Sequence, residues 1–155
     1  MPITAGDVAA PHTTLYTSRC VLKFADGSAE YAAVSQPFVM PSNYAEGTLK
    51  ATLHHCSAVG DNTKNVDIEV YVEAITPDVD PLDLNLQHNF DDGNQATIPC
   101  LANAYDLQDT GITLSNDCEV VAGDLVRILI RRDSDDAADT AAGDFYLFGI
   151  ELEET

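Results

Sequence analysis

A chain of 155 residues with 7 basic and 26 acidic side chains carries a formal net charge of −19. A field of that sign repels phosphate backbones and anionic lipid headgroups, so we expect neither nucleic acid nor a membrane as a partner. The length is that of one domain and suffices to bury a core without a metal or cofactor. An acidic composition of this kind is also typical of proteins adapted to high salt, and the sequence leaves that possibility open.

The first fifteen residues differ from the rest of the chain. Residues 1–15 are polar, contain Pro2 and Pro11, and show no hydrophobic periodicity. This pattern predicts an extended N-terminal arm or a disordered tail. Residues 16–155 are then expected to form one β-sandwich domain.

A turn signal follows the arm. Asp26-Gly27 lies between the apolar runs 20–24 and 31–34, and both residues tolerate a positive φ. The pattern predicts a β-hairpin at this position.

Two segments in the first half alternate between apolar and polar residues, as half-buried strands do. The first covers residues 47–56. The second, residues 65–76, places Val66, Ile68, Val70 and Val72 on one face. The opposite face is expected to be exposed to solvent and to serve as a polar contact surface, with Asp67, Glu69, Tyr71 and Glu73.

Two strands are also predicted near the C-terminus. In residues 124–132 the inward positions are Val126, Ile128 and Ile130, and in residues 145–154 they are Tyr146, Phe148, Ile150 and Leu152. About eight strands and no sustained helical period predict an all-β fold, an antiparallel β-sandwich resembling a jelly roll. The predicted core comprises Val66, Ile68, Val70, Ile128, Ile130, Phe148 and Ile150.

The segment 131–144 concentrates charge between the last two strands. It allows three interpretations: a calcium loop, a catalytic carboxylate pair, or a structural turn. The calcium set would be Asp133, Asp135, Asp136 and Asp139, but their spacing lacks the EF-hand pattern. No burial is evident for a catalytic pair. We therefore favour a structural turn, in which arginine pairs with aspartate and side chains cap the backbone, made by Arg131, Arg132, Asp133, Asp139, Thr140, Gly143 and Asp144.

Familiar catalytic signatures are missing from the sequence. It has no G-x-S-x-G, no phosphate-binding glycine loop and no H-E-x-x-H. The four cysteines form no C-x-x-C pair, so buried free thiols are expected. We therefore predict no enzymatic activity and no cofactor.

Four segments occur in an order that resembles a module of virion structural proteins in tailed bacteriophages and related viruses. They are "FVMPSNYAEGTLKATLHHCSA", "NVDIEVYVEAI", "GDLVRILIRRDSDDAADT" and "GDFYLFGIEL". The resemblance covers residues 38–152. His54 and His55 depart from it, because bulky aromatic residues often occupy those positions.

The resemblance implies a jelly-roll sandwich without enzymatic activity that binds the major capsid protein or other virion proteins. It further implies location in the virion as a capsid decoration (cement) protein, a head fibre, a spike or a tail appendage, with capsid decoration favoured, and assembly as a homotrimer. The alternative is a carbohydrate- or receptor-binding module of a viral fibre, with or without calcium.

Overall fold

The computed structural model describes residues 8–15, 18–27, 31–84 and 88–155. These residues form two stacked β-sheets, which confirms the predicted all-β sandwich. Within these ranges no helix is long and apolar enough to cross a membrane. The strands are β1 (Val8–Ala9), β2 (His12–Leu15), β3 (Arg19–Phe24), β4 (Tyr31–Val34), β5 (Phe38–Val39), β6 (Leu49–Ser57), β7 (Asn65–Ile75), β8 (Asn94–Pro99), β9 (Gln108–Leu114), β10 (Leu125–Arg132) and β11 (Phe145–Glu154).

One sheet has six strands and the other has five. The six-stranded sheet runs β1-β4-β10-β7-β8, with β5 also paired to β10, and the five-stranded sheet runs β2-β3-β11-β6-β9. Neighbouring strands are antiparallel except β1 and β4, which are parallel. The described residues contain more strands than the eight expected, because short pieces such as β1, β2 and β5 also pair.

The predicted N-terminal arm is described only from Val8 onward, and this part belongs to the sandwich. β1 pairs with β4 and β2 pairs with β3, so the segment adds a strand to each sheet. Between them, the N–H of Ala10 donates to the carbonyl of Ala32 at 2.8 Å, and Ala10 is buried. Pairing with distant strands orders this segment although its own sequence has no periodicity.

The predicted hairpin at Asp26-Gly27 is wrong. β3 pairs with β2 and β11 in one sheet, whereas β4 pairs with β1 and β10 in the other. The connection therefore crosses from sheet to sheet. Gly27 does adopt a positive φ of 143°, but this turn joins the two layers and not two neighbours in one layer.

Most of the predicted core is confirmed. Five of its members are at most 4% exposed, namely Val66, Ile68, Val70, Ile128 and Ile130. Phe148 is instead 38% exposed, so its assignment was wrong. A β-bulge between Leu147 and Gly149 changes which side chains face inward along β11.

The first half of β11 has the opposite orientation to the one predicted. Phe145 and Leu147 join the main core, whereas Tyr146 lies on the outer face against Val21 and Cys56. Beyond the bulge the expected orientation returns, and Ile150 and Leu152 pack partly buried against the core.

All four cysteines are free thiols, as expected. Cys56 and Cys100 are buried, but Cys20 is exposed, so burial is not common to the set.

Candidate functional site

The predicted structural turn closes one end of the sandwich around Arg132, whose side chain is fully buried. Its Nε and Nη2 donate to the two carboxylate oxygens of Asp139 at 2.8 and 2.9 Å. The same guanidinium donates to the carbonyls of Ala141 at 2.8 Å and Gly143 at 2.7 Å. The Asp139 side chain is 1% exposed, so this is a desolvated ion pair inside a hydrogen-bond network.

Further ion pairs tie the turn to neighbouring strands. Arg131 lies between Glu69, at 2.9 Å, and Asp133, at 3.1 Å. Asp144 pairs with Lys23 at 2.8 Å.

Backbone contacts complete the turn. The N–H of Asn65 donates to Thr140 Oγ1 at 2.9 Å. Gly143 passes so close to the segment after β6 that a Cβ there would lie 2.8 Å from Val59. The structure therefore gives each of these turn residues a packing or pairing partner.

The alternative calcium set does not converge. Asp139 and Asp133 face arginines, and Asp136 accepts a hydrogen bond from the N–H of Ala138 at 2.7 Å. Asp135 is exposed. Among the residues described, no three His, Cys, Asp or Glu side chains are grouped to hold a metal ion.

We expect neither millimolar calcium nor EDTA to change the melting temperature. Asp133, Asp136 and Asp139 already have partners within the protein, and the four carboxylates do not converge on one site. Differential scanning calorimetry with each additive checks this, with magnesium as the control divalent ion. A calcium-specific rise of several degrees would contradict the structural interpretation.

The outer face of β7 was expected to be exposed to solvent, and this expectation is wrong. Asp67 and Glu73 are fully buried, and Tyr71 is 2% exposed. Asp67 accepts from Gln95 at 2.8 Å and Thr97 at 3.2 Å, and burial raises the pKa of its carboxyl. These partners come from β8, so a distant strand covers a face that looks exposed in the isolated strand.

The polar side chains farther along β7 are also paired. Glu73 accepts from the N–H of Asn89 at 2.8 Å and from the guanidinium of Arg127. Tyr71 donates to Glu69 at 2.6 Å. Because the polar groups of this surface already have hydrogen-bond or ion-pair partners within the protein, the surface is a poor candidate for binding another molecule.

The five-stranded sheet presents a different outer face. Val21, Cys56 and Tyr146 form a small buried apolar cluster on it. A loop before β9 covers part of this cluster, because the N–H of Tyr105 donates to the carbonyl of Ser57 at 2.7 Å. The rings of Tyr105 and Tyr146 lie 6.0 Å apart.

Beside this cluster lies an open depression of about 830 Å³. We call it the Phe148 face; it is lined by Leu15, Arg19, His54, Tyr105, Leu107 and Phe148. Tyr105 is 55% exposed, Leu107 64% and Phe148 38%. Large apolar side chains that stay grouped and exposed are typical of a binding surface.

Charged groups lie on opposite sides of the Phe148 face. On one side, Arg19 is exposed and makes no ion pair with any described residue. On the other, His54 Nδ1 lies 2.7 Å from Asp109 and His54 Nε2 lies 3.9 Å from Glu151. Both carboxylates are largely exposed. The face thus combines an apolar centre with a polar and charged rim.

Sequence reasoning missed this face because it assigned Phe148 to the core. One signal was present: Gly149 interrupts an apolar strand, and an isolated glycine there often marks a bulge. No comparable signal identified Leu15, Arg19 or Leu107, which the pairing of β2 and the loop before β9 bring to the same surface.

No protein-family model and no curated protein sequence matches the chain. Five chains of solved structures do match. One comes from a study of carbohydrate-binding modules of the β-sandwich superfamily, with 16% sequence identity and a TM-score of 0.45. The alignment covers 92% of this chain and 52% of that one. The chain thus spans about half of that structure, and the similarity concerns the sandwich architecture alone.

Proposed function

We propose that this chain is a non-enzymatic virion structural protein, of the capsid decoration type, that works by binding other proteins. The observation that carries this proposal is the Phe148 face. It offers exposed leucine, phenylalanine and tyrosine side chains within a polar rim, the anatomy of a protein–protein interface. The resemblance of residues 38–152 to virion modules supplies the class of partner.

The aliphatic side chains favour a protein partner over a saccharide. Leu15 and Leu107 lie on either side of Phe148, and Leu107 is 64% exposed. Leucine gives a protein partner apolar area to bury at about 25 cal/mol per Å². It offers a sugar ring neither a flat aromatic surface nor a hydrogen bond.

A second candidate function is carbohydrate binding on the same face. It is favoured by the exposed ring of Tyr105 near Phe148 and by the polar group of His54, Asp109 and Glu151. The tyrosine ring could stack on a sugar ring, and the three polar side chains could form hydrogen bonds with its hydroxyl groups. This candidate requires no metal ion.

Co-sedimentation with purified capsid shells of the virus that encodes the chain tests the proposal. We expect the full chain to bind the shells and Phe148→Ser to bind at least tenfold more weakly, since about 1.4 kcal/mol of lost apolar contact suffices for that change. Val79→Ser is the matched control, because Val79 is 70% exposed outside the Phe148 face. It should bind like the unchanged chain.

The contrary result would be absence of binding to shells together with retention of a glycan on an array. Loss of that glycan signal in Phe148→Ser would then establish the saccharide candidate. Equal shell binding by both serine variants would show that another surface is used.

A further inference from the structure

β11 loses one of its two neighbours partway along its length. It pairs with β6 as far as Glu154, but its pairing with β3 covers only residues 145–147 and ends at the bulge before Gly149. No described residue pairs with the β3 side of residues 148–154, although β11 is the central strand of its sheet. We call this side of residues 148–154 the free edge.

The backbone groups that face the free edge follow from the hydrogen bonds on the other side of β11. The N–H of Thr155 donates to the carbonyl of Thr48 at 2.9 Å, in register with the pairing of β11 and β6. Alternate residues of an antiparallel strand direct their N–H and C=O groups to opposite neighbours. The odd-numbered residues after the bulge therefore bond to β6, whereas Ile150 and Leu152 present their backbone groups to the free edge. An unpaired row of this kind is a template for an added strand.

The side chains along the free edge alternate between the core and the solvent. Ile150 and Leu152 are partly buried and pack against the core, whereas Glu151 and Glu153 are exposed. The Glu153 carboxylate lies 2.6 Å from the ammonium group of Lys50, and the Glu151 side chain is 66% exposed. The outer side of the edge is therefore acidic, and Glu151 is open to a cation from outside the molecule.

Two openings between the sheets lie along the free edge. One, of about 220 Å³, is lined by residues of both β3 and β11 and by Ile128 and Ile130 of the opposite sheet. The other, of about 260 Å³, is lined by Leu152 together with Phe38 and Tyr44, which precede β6. Both openings are lined mainly by apolar side chains. A strand laid beside β11 has room to direct apolar side chains inward.

We propose that the free edge of β11 binds an extended segment of a partner protein as an added antiparallel strand. Residues directly opposite each other in two paired strands point to the same face of the sheet. The segment therefore carries apolar residues opposite Ile150 and Leu152, where the openings lie, and a basic residue opposite Glu151. A sequence in which basic and apolar residues alternate meets both requirements.

Charge favours a partner of different sequence over a second copy of this chain. In the antiparallel register that uses the whole free edge, Glu151 of one copy lies opposite Glu151 of the other. Like charges directly opposite each other destabilise a pair of strands. The net charge of −19 on each copy adds to the repulsion. A basic segment avoids both effects.

The free edge and the Phe148 face are neighbouring sites. Among the described residues, those that line the two openings and those that line the Phe148 face have Phe148 alone in common. One partner can therefore occupy both sites. The inference rests on the proposed function in one respect, that the ligand is a protein.

Synthetic peptides test strand addition to the full chain by isothermal titration calorimetry. The probe is acetyl-Lys-Val-Lys-Val-Lys-Val-Lys-amide, whose valine N–H groups face β11 in the proposed arrangement. N-methylation of the three valines should weaken binding roughly tenfold or more, because it removes hydrogen bonds to the free edge. N-methylation of three lysines, whose N–H groups point away, should change the affinity by less than about threefold. The two methylated peptides have the same charge, so general attraction to an acidic chain does not distinguish them.

Charge reversal tests the basic residue opposite Glu151. Glu151→Lys should weaken binding of the lysine peptide roughly fivefold or more, because an attractive cross-strand pair becomes repulsive. Asp135→Lys makes the same change in charge at an exposed position in the turn before β11, and it should leave the affinity within about twofold. Circular dichroism verifies that both variants are folded.

Hydrogen exchange followed by NMR locates the added strand. The N–H groups of Ile150 and Leu152 should exchange rapidly in the free chain and roughly tenfold more slowly with the lysine peptide bound. The N–H groups of Glu151 and Glu153 bond to β6 and should be protected in both states.

Three results would overturn the inference: no binding of the lysine peptide, equal weakening by the two methylation patterns, or equal binding of the lysine peptide and its glutamate counterpart. Shell co-sedimentation decides the proposed function separately. Absence of peptide binding with shell binding intact removes only the added strand. Methylation-sensitive peptide binding without shell binding removes only the virion role.

Discussion

Replacing Asp139 with alanine is expected to lower the free energy of unfolding by about 3–5 kcal/mol. The change removes the carboxylate that holds the fully buried guanidinium of Arg132 by two hydrogen bonds, and it leaves the more distant Asp26, whose Oδ1 lies 3.8 Å from Nη2. It also removes an acceptor for the N–H of Asp67, which lies 3.1 Å from Asp139 Oδ2. Turn capping alone would account for only about 1 kcal/mol, so the buried charge dominates.

Urea denaturation measures this effect, and Asp135→Ala is the matched control. Asp135 is an exposed aspartate in the same turn, and its replacement should change stability by no more than about 0.5 kcal/mol. Equal, small losses in the two variants would mean that Arg132 finds other partners or water at the end of the sandwich.

Acid should destabilise the fold through His55. Its ring is 2% exposed, lies 4.9 Å from the ring of Phe145, and places Nε2 2.9 Å from Thr110 Oγ1. Burial lowers the pKa of His55 from 6.5 to about 4. Between these values the unfolded chain binds a proton that the folded chain does not.

The sign of the pH effect follows from that difference. The contribution of His55 to stability is fully present above pH 6.5 and is lost as the pH falls towards about 4. One pKa unit corresponds to about 1.4 kcal/mol, so the loss amounts to about 3 kcal/mol.

Denaturation at pH 7 and pH 4.5 should therefore show a larger acid-induced loss for the unchanged chain than for His55→Gln, which keeps a polar group near Thr110. His54→Gln, at the partly exposed neighbouring position, should retain most of the loss, because burial is the largest cause of the lowered pKa of His55. If all three proteins lose stability equally, the carboxylates alone govern the acid response.

The alternation of β7 and β10 was sufficient to predict their core side chains, because both strands pack one face against the opposing sheet. The same alternation predicted that the outer face of β7 is exposed to solvent, and that prediction was wrong. Asp67 and Glu73 are buried by residues of β8 and the segment before it, and no pattern within β7 contains that information.

Local signals also misassigned one turn and the orientation of one strand. Asp26-Gly27 satisfies the residue preferences of a hairpin, but β3 and β4 find better partners in different sheets. On β11, the bulge before Gly149 turns Phe148 outward, since one extra residue reverses the orientation of the side chains around it.

The sequence by itself determined the class of fold and the position of the charged turn, because strand periodicity and the proximity of Arg132 to Asp139 are local properties of the chain. Only the tertiary structure decided which surface is available for binding. Leu15, Phe148 and Leu107 are far apart in sequence and come together because β2, β11 and the loop before β9 lie along one sheet. Strand order is set by long-range pairing, which no local pattern specifies.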